Sequence, residues 1–342
     1  MAKIAINGFG RIGRAFLKLA VTRPELQIVA VNDLGDLENL AYLLRYDSAY
    51  GRFDKKVETR EHDGNKYLVV DGKAILFIQQ KDATQLPWGS LGVDIVVEST
   101  GVFESFEKAR VHQQAGAKRV VLTAPAKDDD SADAKTILMG VNHDELKSCT
   151  MSSNGSCTTN SASPVMQVLV EKLGVKKAFL NTIHGYTATQ SLIDGPVKGH
   201  DFRRGRAAAV NITPSTTGAA IAVARVIGPL KGKFDGVAMR VPVVTGSLSA
   251  ITFLAERATS VEEVNKFLEE AANDERWKGI LAVTRDQLVS TDIMGDAHPA
   301  IVDLSLTKVV DGDLVAVYSW YDNEFGYTNA LVEHVVKAAQ AL

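Results

Sequence analysis

The chain has 342 residues, 46% of them hydrophobic and 23% charged, with a net charge of −3. That composition suits a soluble two-domain globular protein, and it supplies no global field that would recruit nucleic acid or an anionic membrane. Its two cysteines, Cys149 and Cys157, form no C-x-x-C pair, which argues against a disulfide framework or zinc knuckle and for a reducing cytoplasm; no metal site is expected.

In chain order, residues 3–7 read as a short strand, and a strand entered so early leaves no room for a targeting extension. Gly8-Phe9-Gly10-Arg11-Ile12-Gly13 follows, then a helical run from Arg14 to Ala20 and a second strand over residues 27–31 that ends at Asn32-Asp33. Strand, G-x-G-x-x-G, helix, strand, acid is the order of a dinucleotide-binding unit. Gly8 permits the tight turn, Gly10 lets backbone approach a pyrophosphate, and Gly13 allows helix to pack closely on strand. Asp33 lies where a carboxylate accepts from the ribose hydroxyls of NAD and repels the 2′-phosphate of NADP.

Residues 93–98 and 119–123 are nearly continuous apolar runs of the kind buried in a parallel sheet. The first ends at Ser99-Thr100-Gly101, where ligands of open α/β sheets bind. Residues up to about Gly155 therefore fit a doubly wound cofactor domain. Ser153-Asn154-Gly155-Ser156-Cys157-Thr158-Thr159-Asn160 then places a thiol at the start of a helix, among hydroxyls. Unpaired N–H groups and the positive end of the dipole favour a thiolate there, so Cys157 is a candidate nucleophile.

A strand over residues 178–184 ends at His184, one of seven histidines, whose neighbours Tyr186, Thr187, Thr189 and Gln190 are polar. A Cys nucleophile needs a base, and His184 is a candidate. The long polar stretch 185–208 reads as a functional or interface loop. Within it Arg203, Arg204 and Arg206 suit either an ion-pair network or an anion site. Residues 213–220, including Thr217 and Gly218, read as a hydroxyl-rich turn into a helix, an N-cap or an anion site. Residues 236–241 and 249–254 read as antiparallel strands, and the first carries an isolated Arg240, a charge that needs a partner such as phosphate. Asp311-Gly312 suits a hairpin turn, Ser260 opens a helix, and residues 327–342 form an amphipathic helix with Ala330, Leu331, Val335 and Ala338 on one face. The second domain is thus expected to set helices on a mainly antiparallel sheet.

Five motifs in order resemble the phosphorylating glyceraldehyde-3-phosphate dehydrogenase family: residues 7–14, Ser156-Cys157-Thr158-Thr159-Asn160, His184-Gly185-Tyr186-Thr187, Arg240-Val241-Pro242 and Trp320-Tyr321-Asp322-Asn323-Glu324. The resemblance implies an α/β fold with an NAD domain over residues 1–155 and 323–342, and a catalytic domain over 156–322 containing an S-shaped loop at about 185–208. It implies Cys157 as nucleophile and His184 as base. Thr187 and Arg240 would hold the phosphate of glyceraldehyde 3-phosphate, while Ser156, Thr158, Thr217 and Gly218, with Arg204 nearby, would hold inorganic phosphate. Gly8, Gly10, Arg11, Ile12, Gly13, Asp33, Lys81, Thr100 and Thr123 would bind NAD, with Asn323 on the nicotinamide carboxamide. A homotetramer is implied, and Gly195-Pro196 resembles the NAD-type loop. Departures from the commonest pattern are Ser161, Gly185, Thr189, residues 243–247 and residues 298–300. Erythrose-4-phosphate dehydrogenase is the competing enzyme class, and RNA or protein binding through Arg203–Arg206 the competing non-enzymatic one.

Overall fold

A computed structural model describes all 342 residues. The chain forms two compact units, one of Met1–Ile137, His143–Gly155 and Leu331–Leu342, the other of Leu138–Asn142 and Ser156–Ala330.

The first unit is built on strands β1 (Ala2–Asn7), β2 (Leu26–Asn32), β3 (Val57–His62), β4 (Asn65–Val70), β5 (Lys73–Ile78), β6 (Ile95–Glu98), β7 (Arg119–Leu122), β8 (Ala134–Thr136) and β9 (Met151–Ser153). They lie in the order β8-β9-β7-β6-β1-β2-β5-β4-β3. The run from β8 to β5 is parallel, and β4 and β3 add an antiparallel edge. Ile4, Ala5 and Ile6 of β1 and Ile95, Val96 and Val97 of β6 are fully buried, as strands covered on both faces must be. Chain order reverses at β1, which has β2 on one side and β6 on the other. This is the switch point at which such sheets bind ligands. Helix α1 (Arg11–Ala20) starts three residues before the expected run and buries Phe16, Leu17 and Ala20.

The second unit contains β10 (Val175–Gly185), β11 (Thr213–Thr216), β12 (Phe234–Val241), β13 (Ser247–Ala255), β14 (Leu281–Thr284), β15 (Ala300–Asp303), β16 (Lys308–Val310) and β17 (Leu314–Tyr321). Their order is β11-β12-β10-β13-β17-β15-β14, with β16 paired to β17. The sheet is mainly antiparallel, but β12 runs parallel to β10, and β14 parallel to β15. The expectation that residues 236–241 form an antiparallel strand is therefore corrected for the β10 side and holds only toward β11. A second correction concerns residues 213–216, which form the edge strand β11 rather than a turn. Only Thr217 and Gly218 lead into helix α3 (Ala219–Val226).

Helix α2 (Cys157–Leu173) packs on this sheet between α3 and α4 (Val261–Ala272). Its Val165, Met166 and Leu169 join Val223, Phe253, Leu268, Val302 and Val317 in one core. Burial of this kind, at roughly 25 cal/mol per Å² of apolar surface, is the main stabilising term. Ser260 caps α4 by accepting from the Glu263 N–H, and Asp311 and Gly312 turn the β16–β17 hairpin with φ of 48° and 77°. The last helix, α5 (Phe325–Gln340), buries Val332, His334 and Val336 as well as the expected face. It is enclosed nearly all round rather than simply amphipathic.

Candidate active site

A cleft of about 450 Å³ opens at the carboxyl ends of β1, β2 and β6, lined by Asn7, Gly8, Gly10, Asn32, Asp33, Lys81, Ser99 and Thr100 among others. The glycines are placed as the motif requires. Gly8 has φ +94°, and a Cβ there would stand 2.6 Å from the Ser99 carbonyl carbon. Gly13 touches the loop itself, since its Cβ would lie 2.1 Å from the Gly8 oxygen. Gly10 caps α1 without a side-chain bond, and nothing lies within 4 Å of where its Cβ would be. A helix start left open in this way, at the mouth of the cleft, fits the pyrophosphate of a dinucleotide.

Asp33 already accepts from the Phe9 N–H at 2.6 Å and the Gly35 N–H at 2.8 Å. It thus holds the glycine loop while facing the cleft. Arg11 is ion-paired with Asp47 at 3.2 Å. Thr123, at the end of β7, donates to the Glu98 carbonyl at 3.0 Å.

Beneath the cleft lies a buried polar chain that local sequence does not announce. The Trp88 N–H donates to His112 Nδ1 at 3.2 Å, which leaves the His112 proton on Nε2, 2.9 Å from Glu98 Oε2. That carboxylate also accepts from Asn7 Nδ2 at 2.6 Å and from the Thr100 N–H at 2.8 Å. A buried charge is tolerated where donors surround it in this way.

In the second unit, Cys157 opens α2 and Ser156 caps it, accepting from the Thr159 N–H at 3.0 Å. Cys157 Sγ lies 3.3 Å from His184 Nε2. His184 sits opposite Arg240 in the β10–β12 ladder, and Arg240 Nη1 approaches His184 Nδ1 to 2.6 Å. Parallel pairing therefore brings the three residues together: thiol, imidazole and guanidinium. Arg240 has no carboxylate partner.

Burial, helped by the Arg240 charge, drives His184 down to about 3, so its ring is neutral. Burial also pushes the Cys157 thiol up, opposed by Arg240 and by the hydroxyl and N–H of Thr158. The pull of the helix start toward a thiolate is thus opposed by desolvation of the charged form, and the Arg240 guanidinium adds to that pull.

The other expected residues are engaged as follows. Thr158 Oγ1 meets the Tyr321 hydroxyl at 2.8 Å, and that hydroxyl also meets Thr182 Oγ1 at 2.7 Å. The Tyr321 ring stands edge-on to His184, 6.0 Å between centroids. Thr187 Oγ1 pairs with Thr189 Oγ1 at 2.9 Å. Arg204 bonds Ser215 at 2.8 Å and Asp201 at 3.4 Å, while Arg203 and Arg206 pair with Asp201 and Asp194. Thr217 Oγ1 accepts from the Ala219 N–H, and Gly218 caps α3. Asn323 Oδ1 accepts from Ser247 at 2.7 Å and Thr245 at 3.2 Å, which fixes that oxygen as an acceptor and leaves the amide nitrogen as the donor. Two sequence departures are linked. A Cβ on Gly185 would stand 3.1 Å from the Val243 oxygen and 3.2 Å from that of Val244, so the course of residues 243–247 leaves little room for a side chain at 185. The sequence reading gives Tyr321, Ser247 and Thr245 no role at the site, although the last two lie in the departing segment 243–247. Tyr321 lies within a quoted motif, whereas the two hydroxyls carry no local signal.

A glycine-loop cleft on a doubly wound sheet, together with a thiol–imidazole pair on a second unit, defines a dinucleotide-binding protein equipped for covalent chemistry. Residues 2–106 match the glyceraldehyde 3-phosphate dehydrogenase NAD binding domain, and residues 156–323 match the C-terminal domain of the same enzyme. The chain is similar to glyceraldehyde-3-phosphate dehydrogenases from Thermotoga maritima (50% identity, 97% of this chain and 98% of the relative) and Geobacillus stearothermophilus (48%, 97% and 96%). That of Clostridium pasteurianum is 46% identical over 99% of this chain and 100% of its own length. The chain belongs to the glyceraldehyde 3-phosphate dehydrogenase family.

Proposed function

We propose that this chain oxidises D-glyceraldehyde 3-phosphate to 1,3-bisphosphoglycerate, reversibly, with NAD and inorganic phosphate. The observation that carries the reading is the approach of Cys157 Sγ to His184 Nε2 at 3.3 Å, beside an arginine that has no carboxylate.

His184 Nε2 takes the Cys157 thiol proton as Sγ attacks the aldehyde carbon and returns it to the aldehyde oxygen, giving a hemithioacetal. It then takes that hydroxyl proton as the hydride leaves. The dinucleotide that the glycine-loop cleft would hold would supply the acceptor for the hydride released from the same carbon. Cys157 then carries a thioester, which keeps the oxidation energy until phosphate attacks and the thiolate leaves. The Cys157 N–H, at the start of α2, is aimed to stabilise the oxyanion. Arg240 and Thr187 hold the substrate's phosphate. Ser156, Thr158, Thr217, Gly218 and Arg204 serve the attacking phosphate, with Ser156 and Gly218 each at a helix start. Gly8, Gly10, Ile12, Asp33, Lys81 and Thr100 hold the dinucleotide, and Asn323 presents its amide nitrogen to the carboxamide. Asp33 favours NAD over NADP by like-charge repulsion of a 2′-phosphate.

The unit of Met1–Ile137, His143–Gly155 and Leu331–Leu342 acts as the cofactor domain and that of Leu138–Asn142 and Ser156–Ala330 as the catalytic domain, so the expected return to the cofactor domain at 323 is moved to 331. A homotetramer is supported by the exposed apolar side chains Leu192, Ile193, Phe202, Val210 and Ile212, each at least 70% exposed, a concentration that marks an interface. A cytoplasmic location suits a thiol that must stay reduced. One assay tests the reading: appearance of reduced nicotinamide with glyceraldehyde 3-phosphate, with and without phosphate, and with either cofactor. Turnover that is indifferent to phosphate would overturn it in favour of a hydrolytic aldehyde dehydrogenase.

A further inference from the structure

Two chains of hydrogen bonds run toward each other under the floor of the glycine-loop cleft and meet at Glu98. From one side the Trp88 N–H donates to His112 Nδ1, and His112 Nε2–H donates to Glu98 Oε2 at 2.9 Å. From the other, the Gln80 N–H donates to Asn32 Oδ1 at 2.9 Å, and Asn32 Nδ2 donates to Asn7 Oδ1 at 2.7 Å. Asn7 Nδ2 then donates to the same Glu98 oxygen at 2.6 Å. The path crosses the ends of β6, β1 and β2, and Trp88, His112, Glu98, Asn7 and Asn32 are all buried.

Both ends of the path are locked in direction. An indole N–H only donates, and the Gln80 backbone gives its N–H to Asn32 Oδ1 and takes a bond from Asn32 Nδ2 at 3.0 Å. Turning over the amide of Asn7 or Asn32 would set donor against donor and acceptor against acceptor. Both chains therefore point their protons at Glu98, whose other oxygen, Oε1, accepts from the Thr100 N–H at 2.8 Å and from Thr100 Oγ1. With donors on every side, position 98 requires a group that accepts on both oxygens, an ionised carboxylate.

That carboxylate in turn shapes the cleft. Thr100 Oγ1 accepts from the Val102 N–H at 3.0 Å, so residues 100–102 are folded around Glu98. Gly8 rests on the Ser99–Thr100 peptide, and a Cβ on it would stand 2.6 Å from the Thr100 nitrogen, the one that donates to Glu98. Gly8, Thr100, Asn32 and Gln80 all line the cleft.

We infer that Glu98 is a positioning residue for the dinucleotide: as the common acceptor of two opposed hydrogen-bond chains, it fixes the Thr100 and Gly8 backbone that the ligand meets. The inference rests on the reading of this cleft as the NAD site. Its demand is one of polarity rather than shape, so an amide of the same size violates it by leaving buried donors facing an N–H.

The test is calorimetric binding of NAD and of ADP-ribose to the intact, cofactor-free enzyme. The wild type is compared with Glu98→Gln, Asn7→Asp and the two combined. Glu98→Gln is expected to weaken both ligands by the same factor, at least about tenfold, the scale of one buried donor left unpaired. At saturating NAD its kcat should not fall, so the loss appears in KM for NAD. Asn7→Asp alone sets two carboxylates side by side and should also bind worse. In the combined variant the charge moves over by one strand. The side chain at 7 then accepts from Asn32 Nδ2 and from the amide at 98. Asn7 Nδ2 lies 3.4 Å from His112 Nε2, so an oxygen in its place can take that proton as well. Binding should return to within severalfold of the wild type. If Glu98→Gln does not fold alone, the combined variant decides.

Glu98→Gln enzyme that binds both ligands as the wild type does would overturn the inference. So would a combined variant that binds no better than Glu98→Gln, or that fails to fold, since restored polarity is what should rescue it. Wild-type enzyme that binds neither ligand would instead remove the reading of the cleft, and the role of Glu98 with it.

Discussion

His334 offers the sharpest quantitative test of the fold. It is fully buried in α5, with Nε2 at 2.8 Å from the Ser152 hydroxyl and Nδ1 at 3.0 Å from Asn154 Oδ1. An amide oxygen only accepts, so Nδ1 carries the proton and Ser152 donates to Nε2. Burial depresses the proton affinity from an ordinary 6.5 to about 3. The unfolded chain therefore binds more protons than the folded one between those values. Stability contributed by neutral His334 is complete above 6.5 and is lost as pH falls toward 3. Each pH unit below 6.5 costs about 1.4 kcal/mol, or about 2 kcal/mol in total at about pH 5. His184 adds a parallel loss, which cancels when variants at position 334 are compared with the wild type. His334→Gln should lower stability at pH 7, since one of two buried partners loses its bond, at about 1–3 kcal/mol. Its further loss on going to about pH 5 should be smaller than that of the wild type by about 2 kcal/mol. Urea unfolding at fixed protein concentration and both pH values measures this. Identical pH dependence in the two proteins would mean that His334 takes up its proton in the folded state as readily as in the unfolded chain, and the argument from burial would fail.

Three further outcomes follow from geometry already described. Gly13→Ala should destabilise the first unit by at least about 1–3 kcal/mol and weaken NAD binding, because the new methyl meets the Gly8 backbone oxygen; unchanged melting and affinity would contradict it. Iodoacetamide should modify Cys157, which is partly exposed, and spare Cys149, which is 2% exposed. Peptide mapping that finds Cys149 labelled first would reverse the assignment. Leu192→Asp combined with Phe202→Asp should dissociate the assembly in light scattering, and an unaltered mass would place the subunit contact elsewhere.

The glycine loop was legible because its constraints are local. Positive φ at Gly8 and the close approach at Gly13 act within a few residues of chain, and their signature is the absence of a side chain. Cys157 was legible for a similar reason, since a helix start and its cap lie within one short segment. Arg240 stood out as a charge in an apolar strand, but its neighbour did not. Its pairing with His184 depends on β12 running parallel to β10 by way of the α3 crossover, and a strand's own residues do not record the direction of its partner. The chain Trp88–His112–Glu98 was hidden because its members lie on three elements and look individually like ordinary core or strand-end residues. The edge strand β11 was misread because hydroxyl-rich residues suit both a turn and a half-exposed edge.

Because His184 and Arg240 are ladder partners, the gap between proton acceptor and guanidinium is one strand spacing, roughly 4.8 Å between backbones. Loop changes cannot alter that interval; only a register shift can, and a shift by one residue would turn both faces of the strand inside out. Altering the chain length of accepted aldehydes is therefore a task for the segments around Thr187 and residues 243–247, not for the strands. Selection or design that keeps the ladder intact can revise what is recognised while leaving the proton-transfer geometry where it is.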